Sequence, residues 1–246
     1  MKVCLTTLTL LALAGALQNA SAAELTGKVK LKGDPKPEAT MAIDAIQNTT
    51  CGGVIHAPIS TRHFVVGPDK GLANVFVYIK KGAAPTPAPA GPEPVLDQVN
   101  CQYEPYVMGL VTGQKFKIRN SDPPSPTDPP LMHNVHATPK VNQGFNFAQV
   151  TKGQVNEKSF DKPEVLVRFN CDVHPWMFAY IGVVDHPYFA VTGKDGSFKI
   201  PNLPAGKYTL EAYHLKAGRK EQEITVGADD KKTVDFELEV PAAPAN

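Results

Sequence analysis

The stretch Cys171-Asp-Val-His174-Pro-Trp-Met177 places a thiol, an imidazole and a thioether at the spacing C-x2-H-x2-M. A cysteine and two histidines in one plane, with a weak axial methionine, form the ligand set of a mononuclear copper site. The stretch supplies three of these four ligands, so a second histidine has to come from elsewhere in the fold. The alternative interpretation is that His174 and Met177 only pack in a core and that no metal binds.

His133 and His136 are the candidates for the missing ligand. They are three positions apart, so on a strand they point to opposite faces and only one of them enters a given site. His133 is favoured because it follows the proline-dense stretch 121–130, where a strand edge meets the end of a barrel. His136 remains the alternative first ligand.

The cysteines divide into a pair and a single thiol. Cys4 belongs to a predicted export signal, which leaves Cys51, Cys101 and Cys171 in the mature chain. An odd number in an oxidising compartment implies that one thiol has a different role. A Cys51–Cys101 disulfide with Cys171 free for metal is the economical interpretation, and a disulfide between Cys171 and one of the other two stays open.

Residues 1–22 have the features of a secretory signal peptide. Lys2 gives a positive start, Leu5 to Leu17 is an apolar run, and Ala20-Ser21-Ala22 forms an A-x-A cleavage site. The apolar run is too short to span a bilayer, and no later stretch is long and apolar enough. The chain is therefore predicted to be periplasmic or secreted, without a transmembrane segment; an uncleaved anchor is the alternative.

Composition predicts an all-β chain and argues against nucleic acid as a partner. The 25 Lys and Arg residues nearly balance the 24 Asp and Glu residues, whereas phosphate binding needs a basic surplus. The 23 prolines and 19 glycines are spread along a chain without long helical periodicity, which is typical of short strands joined by turns. Predicted strands include Glu164–Asn170, Phe178–Val184 and Gly206–His214, and residues 83–94 form a Pro/Ala-rich linker.

The central block, residues 95–185, resembles the cupredoxins, with plastocyanin and amicyanin as close analogues. The resemblance is carried by Tyr103-x-Pro, the run Val111-x-Gly-x-x-Phe-x-Ile-x-Asn-x-Asp122, His133-Asn134-Val135 and the C-x2-H-x2-M loop, whose spacing is of the amicyanin type. It implies a Greek-key β-barrel that binds one copper ion, Cu(II)/Cu(I), through His133, Cys171, His174 and Met177. It also implies that the backbone amide of Asn134 hydrogen-bonds the cysteine sulfur.

These ligand types favour an electron carrier that serves a redox partner protein, such as a cytochrome or an oxidoreductase, and not an enzyme. A paired-copper centre would need a second nearby cysteine, and a multicopper oxidase would need H-x-H and H-C-H motifs that the chain lacks. The ring of His174 is expected to reach the surface inside an apolar collar of Pro175, Trp176 and Phe178, the candidate docking face; alternatively, Trp176 is a core residue. A second hypothesis is a binding module that delivers or stores copper or binds none.

The flanking regions resemble a second family. Ala190 to His214 has the pattern D-G-x-F-x-I-x-x-L-P-x-G-x-Y-x-L and is similar to the carboxypeptidase regulatory-like, or transthyretin-like, β-sandwich. Gly27-Lys-Val29 and Ala73 to Ile79 fit the family's earlier strands. One sandwich is thus predicted from residues 23–82 and 186–240, with the cupredoxin inserted and residues 241–246 disordered. No peptidase is implied, because no histidine is followed by glutamate at H-x-x-E spacing; an accessory or adhesion protein is the third hypothesis.

Overall fold

The computed structural model describes residues 22–41, 51, 59–123, 127 and 129–242, which fold into two β-sandwiches. Apart from short 3-10 turns such as Pro68–Lys70, the regular elements of these ranges are strands, which confirms the all-β expectation. No helix among the described residues has the length and apolar character needed to cross a membrane. The predicted signal peptide and tail lie outside the described ranges, apart from residues 22, 241 and 242.

The strands of the described chain are numbered in chain order. They are β1 (Ala23–Lys32), β2 (Thr40–Met41), β3 (Ile59–Ser60), β4 (Phe76–Lys81), β5 (Val95–Val99), β6 (Gln102–Glu104), β7 (Val107–Val111), β8 (Phe116–Asn120), β9 (His133–Thr138), β10 (Phe145–Gln149), β11 (Val155–Lys158), β12 (Glu164–Asn170), β13 (Phe178–Val184), β14 (Phe189–Val191), β15 (Ser197–Leu203), β16 (Gly206–His214), β17 (Gly218–Val226), β18 (Lys231–Thr233) and β19 (Phe236–Glu239).

The outer sandwich combines strands from both ends of the described chain. One sheet has the order β15-β1-β18, with β19 also pairing with β1, and the other has the order β14-β4-β16-β17. Buried and more exposed side chains alternate along β1, as they do in a strand that packs one face on a core. Leu25 and Val29 of β1 pack in this core with Leu210 of β16.

The inner sandwich contains β5 to β13. Its sheets have the orders β10-β9-β12-β13-β7 and β11-β8-β5-β6. β13 pairs in parallel with β7, and β5 pairs in parallel with β8, so the chain crosses between the two sheets rather than forming hairpins throughout. Leu110, Phe116 and Phe169 are fully buried between the sheets. This core extends to Cys171 and Met177 at one end.

The inner sandwich is inserted between two neighbouring strands of the outer one. β4 and β14 pair antiparallel, with Phe76 opposite Val191 and Tyr78 opposite Phe189. All strands of the inner sandwich lie between them in sequence, and none of the described ones pairs with an outer strand. Residues 83–94, where the sequence predicts a linker, contain no strand. The topology therefore places the described strands of the inner sandwich between β4 and β14.

Two glycines allow the sandwiches to approach each other closely. Gly109 of β7 lies opposite Gly182 of β13, and the rings of Phe76 and Phe189 from the outer sandwich rest on this pair. A Cβ atom added at Gly182 would lie 2.5 Å from the Phe76 ring. Because Phe76 is fully buried, its ring has little room to move away.

We expect Gly182→Ala to lower the free energy of unfolding by about 1–3 kcal/mol through overpacking at this junction. Urea denaturation measures the change. Gly91→Ala is the matched control, because a Cβ atom at this linker position would have no neighbour within 4 Å. Equal midpoints for the two variants would show that the junction is not closely packed.

Candidate metal centre

The loop between β12 and β13 carries three of the predicted ligands, and its own backbone closes it. The N–H of His174 donates to the Cys171 carbonyl at 3.3 Å, and the N–H of Met177 donates to the His174 carbonyl at 2.8 Å. The N–H of Cys171 donates to the Met177 carbonyl at 3.0 Å, across the base of the loop. These bonds fix the three residues relative to one another.

Pairing of β9 with β12 brings His133 to this loop. Asn170, which precedes Cys171, lies opposite His136 in the ladder. Side chains alternate along β9, so His133 is fully buried while the side chain of His136 is 36% exposed. His136 instead has its Nδ1 3.0 Å from the Asp172 carboxylate at the surface. Of the two candidate histidines, the structure places His133 at the loop.

The donor atoms of His133, Cys171 and His174 converge in a buried space. The two histidine Nδ1 atoms are 3.1 Å apart, and His174 Nδ1 is 3.5 Å from Cys171 Sγ. The three residues are 0, 1 and 3% exposed, and their ligand atoms all lie within 4.8 Å of one another. Met177 is also fully buried, belongs to the same hydrophobic core as Cys171, and accepts the Cys171 N–H with its carbonyl. All four predicted ligands therefore lie at one end of the inner sandwich.

The far side of the His133 ring is held so that its Nδ1 faces this space. Its Nε2 lies 2.9 Å from Asp122 Oδ2. A carboxylate only accepts, so we assign the hydrogen to Nε2 and a lone pair to Nδ1. Two nitrogen lone pairs that face each other at 3.1 Å repel unless a proton or a cation lies between them. Together with a thiolate and a thioether, this arrangement fits a copper ion.

Electrostatics favour a charged thiolate in the site. Burial opposes ionisation of Cys171, but hydrogen bonds with His133 and His174 and from the Asn134 backbone N–H outweigh it and lower the pKa of the thiol to about 6. Burial also opposes protonation of His133, but its hydrogen bonds with Asp122 and Cys171 raise the pKa of the imidazole. The site thus favours an anionic sulfur beside the two imidazole rings, and the thiolate is the form of cysteine that binds a metal cation.

We expect the Cys171 thiol of the metal-free protein to titrate with a midpoint of about 6. Because its pKa is lowered on folding, the ionised thiol stabilises the fold fully above the ordinary pKa of 9.0, and this contribution is lost as the pH falls towards 6. The ultraviolet absorbance of the thiolate measures the midpoint, and the protein in denaturant is the control. A folded-state midpoint near 9.0 would contradict the hydrogen bonding described above.

Comparison with known proteins identifies part of the outer sandwich. Residues 177–239 match the family model of the carboxypeptidase regulatory-like domain. The match, about a quarter of the chain, runs from Met177 through β13 of the inner sandwich to β19. The family whose model matches is the one that the sequence pattern of residues 190–214 resembles. No curated protein sequence matches the chain.

Solved structures similar to the chain include cupredoxins. A purple cupredoxin from Nitrosopumilus maritimus is 18% identical over 37% of this chain and 99% of its own, with a TM-score of 0.30. A variant of amicyanin with Cu(I) is 18% identical over 44% of this chain and 97% of its own, with a TM-score of 0.31. A copper-containing nitrite reductase from Thermus scotoductus SA-01 is 19% identical over 43% of this chain and only 25% of its own, with a TM-score of 0.32.

Tyr103 and Asp122, to which the sequence patterns assign no role, hold the groups that contact the predicted ligands. The Asn134 N–H donates to Cys171 Sγ at 3.3 Å, as the cupredoxin resemblance implies, and the fully buried Tyr103 hydroxyl donates to the Asn134 carbonyl at 2.7 Å. Asp122, the partner of His133, is itself held by the N–H groups of Asn100 and Cys101 at 2.7 and 2.8 Å. Tyr103 and Asp122 lie in the runs that carry the resemblance, which is the signal that could have found them.

The structure pairs the cysteines as the economical interpretation predicts. Cys51 and Cys101 form a disulfide, and Cys171 is free and buried. The alternative disulfide to Cys171 is absent. The Cys51 sulfur lies 3.3 Å from His174 Nε2, so the disulfide is part of the surroundings of the candidate site.

The predicted docking collar is wrong in two respects. The ring of His174 does not reach the surface, and Trp176 and Phe178 of the collar are not exposed. His174 is 3% exposed because Cys51 covers its Nε2 edge. Trp176 is 8% exposed, and its indole N–H donates to the Cys101 carbonyl at 3.0 Å, so its interpretation as a core residue is correct. Phe178 is half-buried against the ring of Tyr106, and only Pro175 is exposed.

Proposed function

We propose that this chain is a mononuclear copper protein that carries single electrons between redox partner proteins after export from the cytoplasm. The observation that carries the proposal is the convergence of His133 Nδ1, His174 Nδ1 and Cys171 Sγ in one buried space, with Met177 buried in the loop that carries two of them. Copper bound there would supply reversible one-electron chemistry, Cu(II)/Cu(I).

The residues around the ligands favour a rigid site. Asp122 fixes the ring of His133, the Asn134 N–H orients the cysteine sulfur, and the backbone bond from Cys171 to Met177 closes the loop. Ligands held in this way change position little between two oxidation states. A small rearrangement is what fast electron transfer requires of a site.

Burial favours a carrier over an enzyme. The ligand residues are at most 3% exposed, so water and substrates are kept from the donor atoms, whereas an electron can cross a packed layer of protein. The partner would be a cytochrome or an oxidoreductase whose docking face lies near this end of the inner sandwich. The outer sandwich would act as a mount, since its Phe76 ring packs directly on the inner one.

Delivery or storage of copper is the alternative. The same burial argues against it, because a delivery site has to release its ion to another protein. Binding without copper is disfavoured by the two facing Nδ1 atoms of His133 and His174.

Titration of the purified protein with Cu(II) tests the proposal. We expect one equivalent to bind with an intense absorption from thiolate-to-copper charge transfer, and voltammetry of this form to give one reversible one-electron wave. A protein that binds copper without the reversible wave would be a delivery or storage protein. A colourless protein that binds no copper would contradict the proposal altogether.

A further inference from the structure

The disulfide lies on the outer edge of a predicted copper ligand. His174 directs Nδ1 towards His133 and Cys171, so its remaining ring nitrogen, Nε2, carries the hydrogen and faces Cys51 Sγ at 3.3 Å. Sulfur is a weak acceptor, but both groups are buried and the contact closes the only ring edge that points away from the site. This contact fixes which nitrogen of His174 is left for a metal.

The other half of the disulfide is connected to both histidines. The Cys101 N–H donates to Asp122 Oδ2 at 2.8 Å, and the same oxygen lies 2.9 Å from His133 Nε2. The Cys101 carbonyl accepts the indole N–H of Trp176, whose ring centroid lies 5.3 Å from that of His174. The Cys51–Cys101 disulfide thus joins the groups that contact the His174 ring and the carboxylate that contacts the His133 ring.

We infer that the Cys51–Cys101 disulfide positions the two ligand histidines and seals the metal centre from solvent. A disulfide that only stabilised the fold would need no contact with the ligand residues. This one places its sulfur on His174 and its backbone on the carboxylate that holds His133.

The role of the disulfide at the metal centre rests on the proposed function. The exclusion of water from the His174 ring can be measured without copper. In NMR of the metal-free protein with isotope-labelled histidine, we expect the Nε2–H signal of His174 to persist in water. The signal of His136, whose side chain is 36% exposed, should be lost to exchange and serves as the internal reference. Loss of both signals would overturn the inference, whether or not the protein binds copper.

Two double variants show whether the cover over the His174 ring or the disulfide bond itself keeps solvent out. Cys51→Ala with Cys101→Ala removes both sulfurs and opens the ring edge, whereas Cys51→Val with Cys101→Ala removes the bond and keeps an apolar cover. We expect the His174 signal to be lost in the first variant and retained in the second. With Cu(II) bound, added imidazole should change the electron paramagnetic resonance spectrum of the first variant and leave that of the wild type unchanged.

A disulfide that serves only as a staple gives a different result. Both variants would then lose thermal stability equally, keep the His174 signal and ignore added imidazole, which would overturn the inference. If neither variant folds, loss of the His174 signal from the wild type would still overturn the inference. A wild type that shows a protected His174 but binds no copper would keep the seal and refute the proposed function.

Discussion

Cys171→Ser is expected to abolish the charge-transfer colour of the copper-loaded protein. The substitution replaces the soft thiolate by a hydroxyl of similar shape, so the donor that gives the colour and anchors Cu(I) is lost. The affinity for copper should fall by more than the roughly 10–100-fold that follows loss of a residue which only orients a ligand. Absorption spectroscopy and a competition titration measure both effects.

The matched control for this variant is Asp172→Asn at the next position. Asp172 is exposed and pairs with His136 outside the ligand cluster, so its amide variant should keep the colour and the stoichiometry. A coloured Cys171→Ser protein would show that the thiolate is not a ligand. Loss of colour in both variants would point to general damage to the loop.

His133→Ala should lose the coloured copper form, whereas His136→Ala should keep it. His133 contributes one of the two facing Nδ1 atoms, and its removal also leaves the buried Asp122 carboxylate without its partner. That loss should lower the free energy of unfolding by about 1–3 kcal/mol. His136 pairs with Asp172 at the surface, where such a pair contributes about 0–1 kcal/mol.

Copper titration and urea denaturation of the two variants make this comparison. The variants remove the same side chain from two positions of one strand, so they differ only in the face on which it lies. If His136→Ala loses the colour and His133→Ala retains it, the assignment of the first ligand is wrong.

Local patterns predict most of the site because three of its four predicted ligands lie in the stretch 171–177. The strands Glu164–Asn170 and Phe178–Val184 are found at the predicted bounds, so the loop between them is placed correctly. The three-residue separation of His133 and His136 puts them on opposite faces of β9, as the period of a strand requires. The split of the outer sandwich follows from the family pattern on either side of the inserted block.

The surroundings of the site could not be predicted, because they depend on contacts between distant parts of the chain. Cys51 and His174 are 123 positions apart, and pairing Cys51 with Cys101 does not reveal which face of the inner sandwich the disulfide covers. The same contact explains why His174 is buried and not exposed. Asp122 belongs to a run that carries the resemblance, but the run does not reveal that its carboxylate pairs with His133.

X-ray absorption at the copper edge of the copper-loaded wild type tests the central claim most directly. We predict one sulfur ligand at short distance and two imidazole nitrogens, from Cys171, His133 and His174, with the same shell in the oxidised and reduced forms apart from small changes in distance. A copper ion surrounded only by nitrogen and oxygen would contradict the claim that this buried cluster is a copper centre.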